Sequence, residues 1–299
     1  MKKIWGIFLT ILLTAVGFIL FFISSSSVEE YQQAQYSLDP TYFTKDEEFK
    51  IKPSPNPDKN AYFGDLHIHT SNSFDAYTFG TLSTPEIAYK YAQGGSIPHP
   101  TGYDIQLRRP LDFYAVTDHG FFLGLLPSAA DTTSIYSKYE YTKPLHNLNE
   151  SLSNKILELT KRSRLFREFA RTTFAGLQDG SIDRDIIDNI QESVWKETVK
   201  AADNAYKPGV FTTFAGYEYT SAEDLYENYL HRNVIFEDTK NLPNSIFSRL
   251  DSMNPEPLWE WMNGLREQGV DSLAIPHNSN ISGGSAFSMD YFNGGPIDD

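Results

Sequence analysis

The sequence predicts an α/β domain on a mostly parallel sheet, and three observations carry that expectation. Short apolar runs of strand length alternate with segments of helical periodicity, the pattern of parallel strands joined by crossover helices. Glycine, proline or an N-capping residue punctuates each junction. Histidines recur where those apolar runs end, and in α/β proteins ligands gather at the carboxyl ends of strands.

The first apolar run, Ala61 to Leu66, reads as a short strand. Ser83-Thr84-Pro85-Glu86 then opens a helix as a capping box, with Ser83 as cap and Glu86 reaching back. That helix runs to about Gln93 and stops at Gly94-Gly95. Leu111 to Thr117 is a second buried strand, ending at Asp118-His119-Gly120. From about Asn149 to Tyr206, Leu152, Ile156, Leu159, Leu165, Phe166 and Phe169, and then Ile187, Ile190, Val194, Thr198 and Ala202, recur near helical spacing. Two inserted helices are expected there, as a cap over one end of the sheet. Val210 to Ala215, His231 to Phe236 and Ser272 to Pro276 complete five strands. A helix from about Pro257 to Gln268, stopped by Gly269, precedes the last of them.

The amino-terminal region is of another kind. Lys2 and Lys3 precede an uncharged, mostly apolar run from Ile4 to Ile23, long enough to cross a bilayer. The lysines predict a cytoplasmic start, and so an inner-membrane anchor with the body in the periplasm or outside. Ser24 to Ser27 offer a cleavage site that would make the protein secreted instead. Residues 1–27 are thus the anchor or signal segment. Val28 to Asn60, with Pro40, Pro53, Pro55 and Pro57, is the stalk, and residues 61–299 are the domain.

With 39 acidic against 25 basic residues the chain carries a net charge of −14, which argues against a nucleic-acid partner. A small phosphorylated substrate stays open, because bound cations reverse a local field. There is no cysteine, so disulfides, thiolate ligands and a cysteine nucleophile are excluded. No Gly-x-Ser-x-Gly elbow and no phosphate-cradling glycine loop occurs.

The chemistry-bearing residues fall into an ordered set. His67 and His69 share a parity on one strand and can converge on one ion, with Asp65 placed to orient them. His119 ends the second strand; Asp118 beside it is a ligand, a positioning group or a turn cap. Glu218 follows an apolar strand. A carboxylate there binds a cation or pairs with a base such as Arg232. His231 opens the fourth strand and His277 ends the fifth. Asp75 is a further oxygen ligand or a turn residue, while His99 and His146 lie in surface loops. Histidine-rich ligation points to manganese, zinc or iron over magnesium or calcium, and such centres activate water for hydrolysis.

Together, Asp65-Leu66-His67-Ile68-His69-Thr70, Thr117-Asp118-His119, Gly216-Tyr217-Glu218, His231 and Pro276-His277-Asn278 resemble the polymerase and histidinol phosphatase (PHP) superfamily. Tyr62-Phe63-Gly64-Asp65-Leu66-His67, Arg109-Pro110-Leu111-Asp112-Phe113 and Ile275-Pro276-His277-Asn278-Ser279-Asn280 are similar to one bacterial branch of unknown function. The resemblance implies a distorted (β/α)7 barrel with two or three divalent ions at its carboxyl face. By motif, His67, His69, Asp75, His119, Glu218, His231 and His277 match ligand positions, and Glu218 and His119 are the residues expected at the chemistry. No histidine follows His277, where the superfamily places a final Asp-x-His, so the barrel is expected to be incomplete at its carboxyl end. The implied activity is a metal-dependent hydrolase acting on a small phosphorylated or ester substrate, with phosphoester hydrolysis first. An amidohydrolase-like ester or amide hydrolase and a non-catalytic exported metal-binding protein are the rivals.

Overall fold

The five expected strands are all present, and they hydrogen-bond side by side in one sheet. The computed structural model describes residues 31–32, 59–99, 102–152, 156–222, 229–291 and 295–296. The apolar run Ile4 to Ile23 lies outside the described residues, as does most of the stalk. Among the described residues no helix is long and apolar enough to cross a membrane. In chain order the strands are β1 (Gly64–Asp65), β2 (Phe113–Val116), β3 (Thr212–Ala222), β4 (Tyr229–Phe236) and β5 (Ser272–His277). The helices are α1 (Phe74–Thr78), α2 (Pro85–Ala92), α3 (Leu125–Ala130), α4 (Ile156–Asp179), α5 (Arg184–Ala205) and α6 (Glu256–Glu267). Small antiparallel pairs join Tyr31–Gln32 to Ser151–Leu152 and Ile97–Pro98 to Asp104–Ile105.

The sheet is mixed rather than mostly parallel. β1, β2 and β3 pair in parallel, whereas β4 is antiparallel to both β3 and β5. The reason is local: only residues 223–228 separate β3 from β4, too few for the crossover helix that a parallel partner demands. Because β4 runs backward, its first residues lie at the rim where its neighbours end. His231 thereby arrives beside His277 and Thr220, its direct partners across the ladders.

β1 is shorter than the run Ala61 to Leu66 that predicts it. After Asp65 the chain leaves the ladder: Ile68 exchanges hydrogen bonds with Thr117, donating to its Oγ1 (3.1 Å) and accepting from its N (2.8 Å). The carbonyl of Leu66 accepts from Asn233 Nδ2 of β4 at 2.8 Å. β3 is longer than expected and continues past Ala215, because β4 pairs with Gly216 to Ala222. Glu218 is therefore inside a strand and not just beyond one. The cap of α2 is Thr84, whose Oγ1 accepts from Ile87 N, and not Ser83. Proline at the first helical position drives the residue before it into extended backbone, which is the cap conformation.

Strand parity divides the two faces of the sheet. Tyr217, Tyr219, Val234 and Phe236 pack outward with Trp195 of α5 and Leu258, Met262 and Leu265 of α6. Ala201, Ala202 and Ala205 of α5 lie against Tyr114 and Val116 of β2. So α5 is the crossover helix between β2 and β3 and not part of a cap. Only α4 behaves as an insertion. It packs through Phe169, with Leu165 and Phe174, on a third cluster containing Phe74, Phe122 and Leu126. The sheet curls into a half-barrel, and its inner face carries Glu218, Thr220, His231 and Asn233.

Candidate metal centre

Glu218 stands at the middle of the concave face, 1 % exposed. A parallel bridge to His119 fixes its height on the sheet, and its carboxylate is shared out among five histidines. Oε2 lies 2.7 Å from His69 Nε2 and 3.4 Å from His67 Nε2. Oε1 lies 3.2 Å from His277 Nε2 and 3.6 Å from His119 Nδ1, and it contacts His231 Nδ1. The alternative pairing with Arg232 is not made. Arg232 is one residue out of phase, on the outer face, with its guanidinium 4.6 Å from the ring centre of Trp259.

Two groups of donors could each hold an ion: His67, Glu218 and His277, and His69, His119 and Glu218. Within each group the donor atoms lie within 4.8 Å of one another, the separation expected of ligands about 2.0–2.2 Å from a common ion. Glu218 belongs to both groups. His277 supplies an independent sign of fit. Its ring nitrogens are buried: Nε2 lies 3.2 Å from Glu218 Oε1, while Nδ1 has no hydrogen-bond partner among the described residues. A buried ring nitrogen with no partner is costly unless something else satisfies it.

Asp75 sits behind the histidines. Its oxygens lie 3.0 and 3.1 Å from His69 Nδ1, the nitrogen turned away from Glu218, and 3.6 Å from His119 Nε2. Ser73 Oγ donates to it at 2.6 Å. This carboxylate–imidazole arrangement orients a ligand and fixes its tautomer. Asp75 also accepts from Ala76 N at the start of α1, so it fills the turn role as well. Asp65 acts through backbone, accepting from His67 N at 3.0 Å. Asp118 is buried and accepts from Thr70 N and from Thr70 Oγ1, the latter at 2.7 Å. It pins the His-x-His segment to the end of β2. His99 stacks on Tyr103 at 4.6 Å and His146 bonds the carbonyl of Ser137; neither joins the centre.

Charge follows from this packing. Burial works against a proton on His69, yet hydrogen bonds to Asp75 and Glu218 outweigh it and lift its pKa to about 10. Burial pulls His119 down to about 4, against the attraction of Glu218 and Asp75. Glu218 is also desolvated, but the histidines around it hold its pKa well below the usual carboxylate range. Asp75 is likewise held low, mainly by its hydrogen bond to His69 acting against burial. Burial raises Asp118 to about 6 despite the two bonds from Thr70.

Two polar residues of the centre escaped sequence reasoning. Thr220 Oγ1 lies 3.0 Å from His119 Nδ1, 3.2 Å from His231 Nδ1 and 3.2 Å from Glu218 Oε1. Ser73 Oγ accepts from His119 N at 3.2 Å. The signal was parity: Thr220 is two residues beyond Glu218 on one strand face. Beside the centre opens a cavity of about 380 Å³, whose lining includes His119, Thr220 and His231. Its outer wall is aromatic. Phe74 stacks on His119 at 4.4 Å on one side and on Phe166 of α4 at 4.7 Å on the other.

Fold and site together define a mixed α/β protein whose half-barrel sheet carries a histidine–glutamate cluster able to hold metal ions. The chain belongs to the family described as protein of unknown function DUF3604, whose profile matches residues 56–299. No curated protein and no solved structure matches the chain.

Proposed function

We propose that the protein is a metal-dependent hydrolase whose reaction is phosphoester hydrolysis, and that its sheet is part of a PHP-type (β/α)7 barrel. The observation that carries the reading is the division of Glu218, with one oxygen toward His67 and His69 and the other toward His119, His231 and His277. Because Glu218 belongs to both donor groups, it could serve an ion in each. Manganese, zinc or iron held there supplies Lewis acidity and a more acidic water.

The chain's own groups have definite parts. His67 and His277 would form one donor group with Glu218, and His69 and His119 the other, each group drawing one histidine from either carboxylate oxygen. Asp75 orients His69 through Nδ1. His119, neutral near pH 7, offers its lone pair to an ion or to a proton. The aromatic wall beside His119 keeps water away from one flank of the centre. A small phosphorylated ester fits a cavity of this size, and the ions offset the acidic character of the chain where it reacts.

The test is turnover of the metal-loaded body from Val28 onward on phosphomonoesters, phosphodiesters, carboxylic esters and amides, beside a Glu218→Gln variant. Phosphoester turnover abolished by Glu218→Gln supports the reading. Bound metal with no turnover on any of the four would make the protein a metal-binding protein and not an enzyme.

We also propose that Ile4 to Ile23 anchors the chain in the cytoplasmic membrane with the body outside, on the strength of that run's length and of Lys2 and Lys3 before it.

A further inference from the structure

The cavity beside the metal centre has a character opposite to that of the chain. The protein carries a net charge of −14, yet Arg167, Arg171 and Arg249 line the cavity and no carboxylate does among the described residues. The sequence of α4 explains how. Phe166, Ala170 and Phe174 recur every four residues and form one stripe of the helix, while Arg167 and Arg171 form the stripe beside it. Both stripes face the cavity. Phe169 and Thr173 flank the apolar stripe on the side away from the arginines, are 2 % and 0 % exposed, and hold the helix down. Arg249, 6 % exposed, reaches the cavity from outside α4, with its guanidinium 5.8 Å from the ring centre of Phe121 and 5.6 Å from that of Phe174. Among the described residues no carboxylate forms an ion pair with Arg167 or Arg171.

Flat apolar surface beside planar guanidinium groups selects for a particular shape of ligand. Aromatic side chains favour a planar apolar body, against which they stack at low entropic cost. Guanidinium forks favour an oxyanion, which they meet through paired charge-assisted hydrogen bonds. We infer that this cavity takes an organic oxyanion with a flat apolar body, its acidic group met by Arg167 and Arg171 of α4. On this assignment α4 is the element that chooses the substrate. The inference rests on the hydrolase reading only for what happens to the ligand once bound.

Binding is therefore measured apart from turnover. The probes are phenylphosphonate, methylphosphonate and neutral benzyl alcohol, titrated by calorimetry into the manganese-loaded full chain in detergent. Phenylphosphonate should bind more tightly than methylphosphonate, and benzyl alcohol far more weakly than either. The double substitution Arg167→Gln, Arg171→Gln, on exposed positions that leave the metal content unchanged, should weaken both phosphonates by about tenfold or more, the scale of a charge-assisted hydrogen bond. Phe174→Ala should weaken phenylphosphonate and leave methylphosphonate alone. Unchanged affinities in the double variant, equal binding of the two phosphonates, or no binding of either would overturn the assignment. Turnover of phenyl phosphate, followed in parallel, separates the two readings. The expected binding pattern without turnover overturns the hydrolase and keeps the pocket. Turnover undiminished in the double variant does the reverse.

Discussion

The rings of His67, two residues past β1, and His277, the last residue of β5, lie 4.0 Å apart, centre to centre, although β1 and β5 are the two edge strands of the sheet. Edge strands of a flat five-stranded sheet would be separated by four strand spacings, on the order of 19 Å. The curl of the sheet closes that distance. The bond from Asn233 on β4 to the carbonyl of Leu66 marks the same closure at backbone level.

Metal content should follow membership of the two donor groups. Glu218→Gln, which serves both, should lose nearly all bound metal. His67→Ala or His277→Ala should lose up to about one ion per chain, because one group is broken and the other kept. Elemental analysis after dialysis reads this directly. Equal metal in wild type and Glu218→Gln would remove the centre from consideration.

Metal affinity should rise with pH. His69 is protonated near neutrality when no ion is bound, since its pKa is lifted from an ordinary 6.5 to about 10. Its contribution to the stability of the metal-free fold is complete below about 6.5 and lost as pH rises through about 10. An ion must displace that proton, so binding tightens over the same window and releases about one proton at neutral pH. His119, pulled down to about 4, releases none. Calorimetry in buffers of different ionisation enthalpy counts the protons. A count of zero near pH 7 would contradict the geometry around His69.

Arg162 should prove structural. It is buried and donates to Thr78 O at 3.0 Å, Asn149 Oδ1 at 2.7 Å and Leu148 O at 2.7 Å, tying α4 to the helix that begins with Phe74 and Asp75. Arg162→Leu strands three acceptors, at a cost of about 1–3 kcal/mol for an unsatisfied buried group. Denaturant unfolding should register that loss. Full stability would show that water replaces the guanidinium.

Gly216→Ala should disturb the centre from behind. A Cβ at Gly216 would lie 2.8 Å from Ile235 Cδ1 and 2.9 Å from the carbonyl of Val234. Backbone cannot yield as a flexible side chain does, so overpacking costs about 1–3 kcal/mol. The shift lands two residues from Glu218, and weaker metal binding should accompany the lost stability. An alanine variant with native stability and metal content would refute this.

On the proposed topology, with Ile4 to Ile23 as the anchor, protease added to spheroplasts should digest the body. Complete protection would show that the topology is the reverse.

What the sequence made legible was rim chemistry. His67, His69, His119, His231 and His277 were readable because apolar runs end at or begin with them, and all five meet at Glu218. Direction was not readable. An apolar strand looks the same whichever way it runs, so β4 passed for one more parallel strand. The short connection before it was hidden as well, because the strand expected to end at Ala215 runs on to Ala222. The two long helices were visible from periodicity, but their different tasks were not, since each has an apolar stripe. The partner of a stripe is set by the fold, and α5 found the sheet while α4 found the aromatic cluster. The cavity arginines were illegible for a related reason. Arg167 and Arg171 look like the solvated side of a helix until Phe166 and Phe174 beside them are seen to face inward.

The stack of His119, Phe74 and Phe166 has a structural meaning. Phe74 is nearly parallel to both of its neighbours, at 2° to Phe166 and 19° to His119, so the three rings stack in series. Phe74 is also the neighbour of Asp75, which steers His69. Phe166 touches none of the donors, yet it backs the ring that backs His119, so the inserted helix and the centre share one aromatic wall.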